Sequence, residues 1–153
     1  MRKYSPQSLT LALLLGATLF WGGCGPKTQG VSPLALKVTQ SAHSYLGTPY
    51  VYGGKSPKGF DCSGLVWYVF RLHGISLPDS SWKQANAGVK VSRDEMLPGD
   101  LVFFQSRGRV DHVGVYIGEG WMIHAPGRGK KVRKANLEEK YYRQRFATAR
   151  RVI

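Results

Sequence analysis

The spacing of apolar residues changes near position 97, and this change limits the folds that the chain can adopt. Before it, apolar residues recur every three or four positions, which predicts helices over 32–46 and 62–73 and a shorter helical turn within 79–87. After it, short apolar runs bounded by glycine and proline predict strands. Helices that precede strands, instead of alternating with them, indicate an α+β fold.

The strand-forming half is predicted in more detail from the same pattern. The predicted strands are 101–104, 111–117, 121–125, 131–134 and 146–152, with a short helix at 137–142. A chain of 153 residues with 42% apolar and 20% charged residues has the composition of one globular domain with a hydrophobic core.

Cys62 stands at the start of the second predicted helix, in the segment 59–66 (GFDCSGLV). Unpaired backbone N–H groups and the helix dipole at such a position favour the thiolate form of a cysteine. Two histidines, His112 and His124, follow far along the chain. A cysteine with distant histidines is the residue set of a cysteine hydrolase.

Both histidines fall in a predicted β-hairpin around Gly118-Glu119-Gly120. Side chains alternate between the two faces of a strand, so His112 and His124 share a face if the loop has three residues or contains a bulge. A plain two-residue turn would separate them. On a shared face, His112 is the candidate base for the thiol and His124 the residue that orients it. The other face is apolar and is predicted to point into the core: Val113, Val115, Ile117, Trp121 and Ile123.

The first residues predict export. Arg2 and Lys3 precede a short apolar run, and Gly22-Gly23 precede Cys24, which is the layout of a signal peptide over 1–23. It resembles a bacterial lipoprotein signal, which would make Cys24 the lipidated first residue of a tether over 24–31. Two alternatives stay open: an ordinary cleaved signal that leaves a free thiol at Cys24, and a disulfide between Cys24 and Cys62.

The charge of the chain predicts anionic partners. Lysine and arginine number 22 against 9 acidic residues, for a net charge of +13. Basic residues are dense in the C-terminal third, where they form either a surface for an acidic polymer or anionic lipid, or a solvated face without a partner. An export signal argues against a nucleic-acid partner.

Residues 44–151 resemble the NlpC-type cell-wall peptidases, a papain-like group of bacterial cysteine peptidases. Five ordered segments carry the resemblance: 47–54 (GTPYVYGG), 60–66 (FDCSGLV), 98–104 (PGDLVFF), 111–118 (DHVGVYIG) and 123–126 (IHAP). The last strand region also resembles that of small murein endopeptidase lipoproteins. The resemblance implies a papain-like α+β domain over 32–153, in which N-terminal helices pack on a central antiparallel β-sheet.

The resemblance also implies a role for each site residue. Cys62 would be the nucleophile, His112 the base and His124 the orienting residue. The remaining roles are an oxyanion-site contribution from Tyr50 and a substrate groove lined by Asp61 and Ser63. Read from the sequence alone, Tyr50 is equally a packing aromatic, Asp61 a helix cap and Ser63 a first-turn residue without a special role.

The implied substrate is the peptide stem of peptidoglycan, cut beside D-glutamyl and diaminopimelate residues or at the D-alanyl–diaminopimelate cross-link. We expect no cofactor, no metal, and a monomer anchored to a membrane through Cys24. Gly25 after the lipidated cysteine, in place of aspartate, favours the periplasmic face of the outer membrane. Two rival interpretations are a wall-binding lipoprotein without activity and a zinc site formed by Cys62, His112 and His124.

Overall fold

A computed structural model describes residues 30–153. The predicted signal peptide at 1–23, the lipidation of Cys24 and nearly all of the tether lie outside the described residues. None of the helices within 30–153 is long and apolar enough to cross a membrane.

Helices dominate the first half of the described chain, as predicted. Their bounds are α1 Pro33–Ser44, α2 Cys62–Arg71, α3 Ser81–Gln84 and, in the second half, α4 Lys140–Arg145. Helix α1 starts where the sequence indicates, because the Ser32 hydroxyl accepts a hydrogen bond from the Ala35 N–H at 3.0 Å and proline occupies the first turn. Helix α4 begins three residues later than the predicted 137–142 segment.

The strands form a small hairpin and one large antiparallel sheet. The hairpin strands are β1 Lys55–Ser56 and β2 Gly59–Phe60, and the sheet strands are β3 Val89–Val91, β4 Leu101–Ser106, β5 Arg109–Gly118, β6 Trp121–His124, β7 Arg133–Asn136 and β8 Phe146–Arg151. The six-stranded sheet has the order β3-β8-β4-β5-β6-β7, with every neighbouring pair antiparallel. The predicted α+β fold with N-terminal helices on an antiparallel sheet is therefore confirmed.

The sheet is apolar on both faces. One face packs against α1 and α2, with a core that includes Val38, Leu65, Val113, Val115 and Ile123. The other face forms a second core beneath α4 and the chain around it, and includes Val102, Phe104, Tyr116, Met122 and Tyr142. Burial on both sides explains why the even-numbered Met122 is as fully buried as the odd-numbered Ile123.

The β5–β6 hairpin corrects one part of the sequence prediction. The two strands pair Val115 with Ile123 and Tyr116 with Met122, and the register then shifts before Gly118 pairs with Trp121. This bulge keeps the histidines on one face, as the shared-face prediction requires. The same shift ends the alternation, so Trp121, predicted to be in the core, is 41% exposed.

The turn before β4 is tied to the last strand by a buried ion pair. Asp100 is only 1% exposed, and its carboxylate accepts hydrogen bonds from Arg151 Nε at 2.8 Å and Nη2 at 2.7 Å. It also accepts the Leu97 N–H at 2.7 Å, which closes the turn. Gly99 adopts a φ of +96° there, and a Cβ at this position would lie 2.7 Å from the Ala35 Cβ, so only glycine fits.

Candidate active site

The first turn of α2 is held by Asp61 and by a close backbone approach. One carboxylate oxygen of Asp61 accepts the Gly64 N–H at 2.6 Å, and the other accepts the Gly53 N–H at 2.9 Å. A Cβ on Gly64 would lie 1.9 Å from the Gly54 carbonyl oxygen, so the glycine loop packs directly on the helix. These contacts fix the position of Cys62, the first residue of α2.

The Cys62 thiol lies against the β5 backbone on both sides of His112. Its Sγ is 3.9 Å from the Asp111 carbonyl oxygen, and the Val113 N–H donates a hydrogen bond to the sulfur. Burial, and then the negative charge of Asp61, raise the pKa of the thiol to about 11. The backbone N–H groups of Val113 and of the first residues of α2 lower this pKa, but by less. Burial therefore outweighs the helix N-terminus, and the resting residue is a protonated thiol and not the thiolate that the helix position favours.

The two histidines form a hydrogen-bonded pair. His112 Nε2 lies 2.7 Å from His124 Nδ1, with the rings nearly perpendicular. Burial lowers the pKa of His112 to about 4, against the opposing charge of Asp111. Burial lowers the pKa of His124 to about 2, followed by repulsion from His112 when that ring is protonated and by the positive charges of Arg133 and Lys130. Both rings are thus neutral at neutral pH, and His112 is free to accept a proton.

The hydrogen-bonded chain continues beyond the predicted residues. Tyr142 Oη is 3.2 Å from His124 Nε2, and Arg133 Nη2 donates to the same oxygen at 3.1 Å. The sequence indicated neither role, because Arg133 was one of many surface bases and Tyr142 closed a predicted helix. Both residues line a polar cleft of about 360 Å³ onto which His112 and His124 open.

The predicted oxyanion residue, Tyr50, is near enough to Cys62 to interact with it electrostatically. Tyr50 is half-buried against the helix-side core, and its N–H bonds the Lys130 carbonyl at 2.9 Å. Burial raises the pKa of the Tyr50 phenol, and the negative charges of Cys62 and Asp61, when these groups are ionised, raise it further. The oxyanion role of Tyr50 stays a prediction.

The two predicted groove residues have structural contacts in this fold. Asp61 caps α2, as its position before the helix also suggested. Ser63 is 7% exposed, and its hydroxyl lies 3.2 Å from both Asp61 Oδ1 and the Asp79 carbonyl oxygen. Their contribution to substrate binding stays a prediction, and neither residue opens on the cleft that the histidines line.

The side-chain arrangement favours a proton relay over the zinc alternative. Within 30–153, no three or more histidine, cysteine or acidic side chains are grouped so that they would hold a metal ion. The facing nitrogens of His112 and His124 point at each other instead of converging with Cys62 on a third point. The two imidazoles are placed to pass a proton between them.

Comparison of the sequence with known proteins identifies relatives of this protein. The sequence profile of the NlpC/P60 family matches residues 47–151. The chain is 40% identical over 120 residues to a γ-D-glutamyl-L-lysine dipeptidyl-peptidase of Bacillus subtilis, an alignment that covers 76% of this chain and 40% of that protein. It is 42% identical over 114 residues to the murein DD-endopeptidase MepH of Escherichia coli, covering 71% of this chain and 42% of MepH.

A solved structure agrees with these matches. The crystal structure of an NlpC/P60 family protein from Bacillus cereus superposes with a TM-score of 0.76 at 38% identity, over 80% of this chain and 41% of that one. The chain thus spans about two fifths of the length of the curated relatives it matches.

Proposed function

Because the chain belongs to the NlpC/P60 family, whose members are cysteine peptidases that cleave peptidoglycan, we propose that it is a cell-wall cysteine endopeptidase. One observation carries the proposal: the Cys62 thiol lies against the backbone on both sides of His112, whose ring is bonded to His124. This is the arrangement that thiol activation by a positioned base needs. Cys62 is then the nucleophile, His112 the base and His124 the orienting residue.

The first chemical step starts from neutral groups. His124 occupies Nε2 of His112, which leaves Nδ1 as the nitrogen for the thiol proton. As Cys62 Sγ bonds to the scissile carbonyl carbon, its proton moves to His112. The raised pKa of the thiol and the lowered pKa of His112 mean that this transfer accompanies attack on the substrate and does not precede it.

The remaining steps return the site to its starting state. Backbone N–H groups at the start of α2, together with the Tyr50 hydroxyl, stabilise the negative oxygen of the tetrahedral intermediate. His112 gives its proton to the leaving amine, and the carbon–nitrogen bond breaks to leave a thioester on Cys62. Water then attacks the thioester, loses a proton to His112 and releases the acid product as the thiol re-forms.

The bond that is cut lies in the stem peptides or in their cross-links. One relative is named for a γ-D-glutamyl-L-lysine bond and the other for a D,D bond, so both bond types are represented among the relatives. In either case the substrate carries free carboxylates, and Lys130 and Arg133 beside the histidines offer positive charge to receive one. Asp61 and Ser63 would position the stem from the other side of Cys62.

The same proposal includes a location. We propose a signal peptide over 1–23, lipidation of Cys24, a tether to position 31 and a monomeric peptidase domain over 32–153 that faces the wall from the outer membrane. Mass spectrometry of the processed protein tests the anchor. A mature chain that begins at Cys24 and lacks acyl mass would contradict it.

The activity is tested on purified peptidoglycan with the protein and its Cys62→Ala variant. We expect soluble stem peptides from the unchanged protein and none from the variant. The fragment masses distinguish cleavage at a γ-D-glutamyl bond from cleavage at a D-alanyl cross-link. If both proteins bind the wall and neither releases peptides, the chain is the wall-binding lipoprotein of the rival interpretation.

A further inference from the structure

Two further side chains, Tyr142 and Arg133, extend the hydrogen-bonded network of the histidine pair and have no role in the mechanism above. Tyr142 Oη lies 3.2 Å from His124 Nε2, and the Arg133 guanidinium donates to the same oxygen at 3.1 Å. Tyr142 is 4% exposed and His124 is fully buried, so water does not compete freely for these atoms. The result is an unbroken chain of hydrogen bonds from His112 to Arg133.

Donors and acceptors must alternate along such a chain. A neutral imidazole has one N–H and one bare nitrogen. If the Tyr142 hydroxyl donated to Nε2 of His124, then His124 would carry its proton on Nδ1 and donate it to Nε2 of His112. Neutral His112 would then hold its own proton on Nδ1, and it would have no bare nitrogen for the thiol.

The opposite direction gives a working base. We propose that Tyr142 is a positioning residue whose Oη accepts the Nε2–H of His124, so that His124 Nδ1 accepts from His112. This leaves Nδ1 of His112 bare and able to take the thiol proton. The inference rests on the proposed cysteine-peptidase function, and it adds a residue that sets the tautomers of both histidines.

Arg133 is suited to support this arrangement. A guanidinium has no acceptor atom, so Arg133 accepts no hydrogen bond from Tyr142. The two lone pairs of Tyr142 Oη accept one hydrogen bond from Arg133 and one from His124. The tyrosine proton then points to the cleft, which Glu139 also lines. The positive charge of Arg133 contributes to the lowered pKa of His124, which keeps that ring neutral and able to accept from His112.

The first test needs no substrate and reads the unchanged protein directly. Nuclear magnetic resonance of the full-length protein with ¹⁵N-labelled histidine, assigned with a His124→Gln variant, reports which ring nitrogen carries the proton. We expect His124 protonated on Nε2 and His112 protonated on Nε2 at neutral pH. Finding His124 protonated on Nδ1 in the unchanged protein would overturn the inference.

The second test compares two buried tyrosines of the same core. In Tyr142→Phe, the buried His124 N–H loses its hydrogen-bond acceptor, and this loss raises the free-energy barrier to deprotonation of Cys62. We expect alkylation of Cys62 by iodoacetamide and kcat each to slow by about tenfold, with KM unchanged. Tyr116→Phe is the matched control, because the Tyr116 hydroxyl accepts the Gly120 N–H at 3.1 Å in the same core cluster. We expect its alkylation rate and kcat to equal those of the unchanged protein.

Each outcome of these tests bears on one inference. Wild-type alkylation in Tyr142→Phe, or an equal loss in Tyr116→Phe, would show that Tyr142 has no specific role. If Tyr142→Phe fails to fold, the histidine tautomers of the unchanged protein decide the matter. If the unchanged protein releases no stem peptides, the proposed function fails, whereas the tautomers and the alkylation rate still report on Tyr142.

Discussion

Asp100 and the His112–His124 pair are both buried polar groups next to an arginine, but they are held in different charge states. Asp100 is 1% exposed and bonded to two nitrogens of Arg151 at 2.8 and 2.7 Å. The histidines are 2.7 Å apart, and burial lowers the pKa of each so that both stay neutral.

The difference follows from what surrounds each group. The Asp100 carboxylate accepts hydrogen bonds from the Leu97 N–H and from the Arg151 guanidinium, which balance its charge within the fold. The ion pair also links the turn before β4 to β8. Among residues 30–153, no carboxylate is bonded to the histidine pair, and the nearby Arg133 and Lys130 oppose protonation of His124. A satisfied charge serves stability, whereas a neutral pair keeps a proton acceptor available for chemistry. Substitutions in the two regions should therefore separate activity from stability.

The largest expected effect is the loss of activity on removing the base. In His112→Ala, we expect peptide release to fall by about 10²- to 10⁴-fold, the usual contribution of a general base. The measurement is the initial rate on purified peptidoglycan, alongside urea unfolding. His73→Ala is the control, because the His73 ring bonds Ser41 and is not among the residues that line the cleft, so the rate should be unchanged. A rate in His112→Ala close to that of the control would contradict the assignment of His112.

Asp100→Ala should produce the opposite result. Removing the carboxylate leaves Arg151 without its ion-pair partner, with only the Glu95 carbonyl still bonded to it among the described residues. Breaking a buried pair costs about 3–5 kcal/mol, and we expect the lower end here because the Arg151 side chain is 32% exposed. Urea unfolding measures this loss, and the activity per folded molecule should stay near that of the unchanged protein.

The matched control for Asp100 is an exposed carboxylate. Glu138 pairs with Arg93 at 2.7 Å, but its side chain is 66% exposed, so Glu138→Ala should change the unfolding free energy by less than about 1 kcal/mol. Equal destabilisation by the two substitutions would mean that burial does not distinguish these ion pairs.

Lower pH should weaken the fold through the histidine pair. The pKa of His112 is about 4 in the folded protein and about 6.5 when unfolded, so the unfolded chain binds more protons between these values. Stability that is present above pH 6.5 should be lost as the pH falls to 4, by about 2–3 kcal/mol from His112. Activity per folded molecule should fall only as the pH approaches 4, because His112 in the folded protein is protonated there and then accepts no proton.

Urea unfolding at pH 7 and at pH 4.5 measures this dependence. His112→Gln removes the titrating group and keeps a polar side chain of similar length, so its stability should vary less between the two pH values. An identical loss of stability in both proteins would assign the acid sensitivity to other groups.

The sequence predicted the parts of this molecule that depend on local pattern. Helix α2 begins at Cys62 because Asp61 caps it, and an apolar stripe follows, all of which is visible within ten residues. The shared face of His112 and His124 was predictable on condition of a bulge, since the register of two adjacent strands fixes it. Local rules sufficed for these features because the interacting groups are neighbours in the chain.

The features that the sequence did not predict depend on distant partners. Strand β3 has only Val91 buried and is held by pairing with β8, about 60 residues away, so its own pattern is too short to identify it. The contact between Tyr142 and His124 needs the fold of the second core, which no local pattern specifies. The expectation that Cys62 is a thiolate fails for a similar reason, because burial by distant elements raises the pKa of the thiol by more than the helix start lowers it.

The smallest expected effect is at the surface and completes the comparison. Asp79 lies 3.6 Å from Lys55 and 3.7 Å from Lys83, but the side chains are 38–58% exposed, so water screens the charges. Lys83→Met keeps an unbranched side chain but removes the charge from both Asp79 and the Trp82 ring, whose centroid lies 5.4 Å from Lys83 Nζ, and should cost less than about 0.5 kcal/mol. Urea unfolding at low and at high salt checks this: the small cost should vanish at 1 M salt, where exposed charges are screened within about 3 Å. The larger cost of Asp100→Ala should persist at high salt, because the buried carboxylate is shielded from ions, and its disappearance would contradict the contrast between the two pairs.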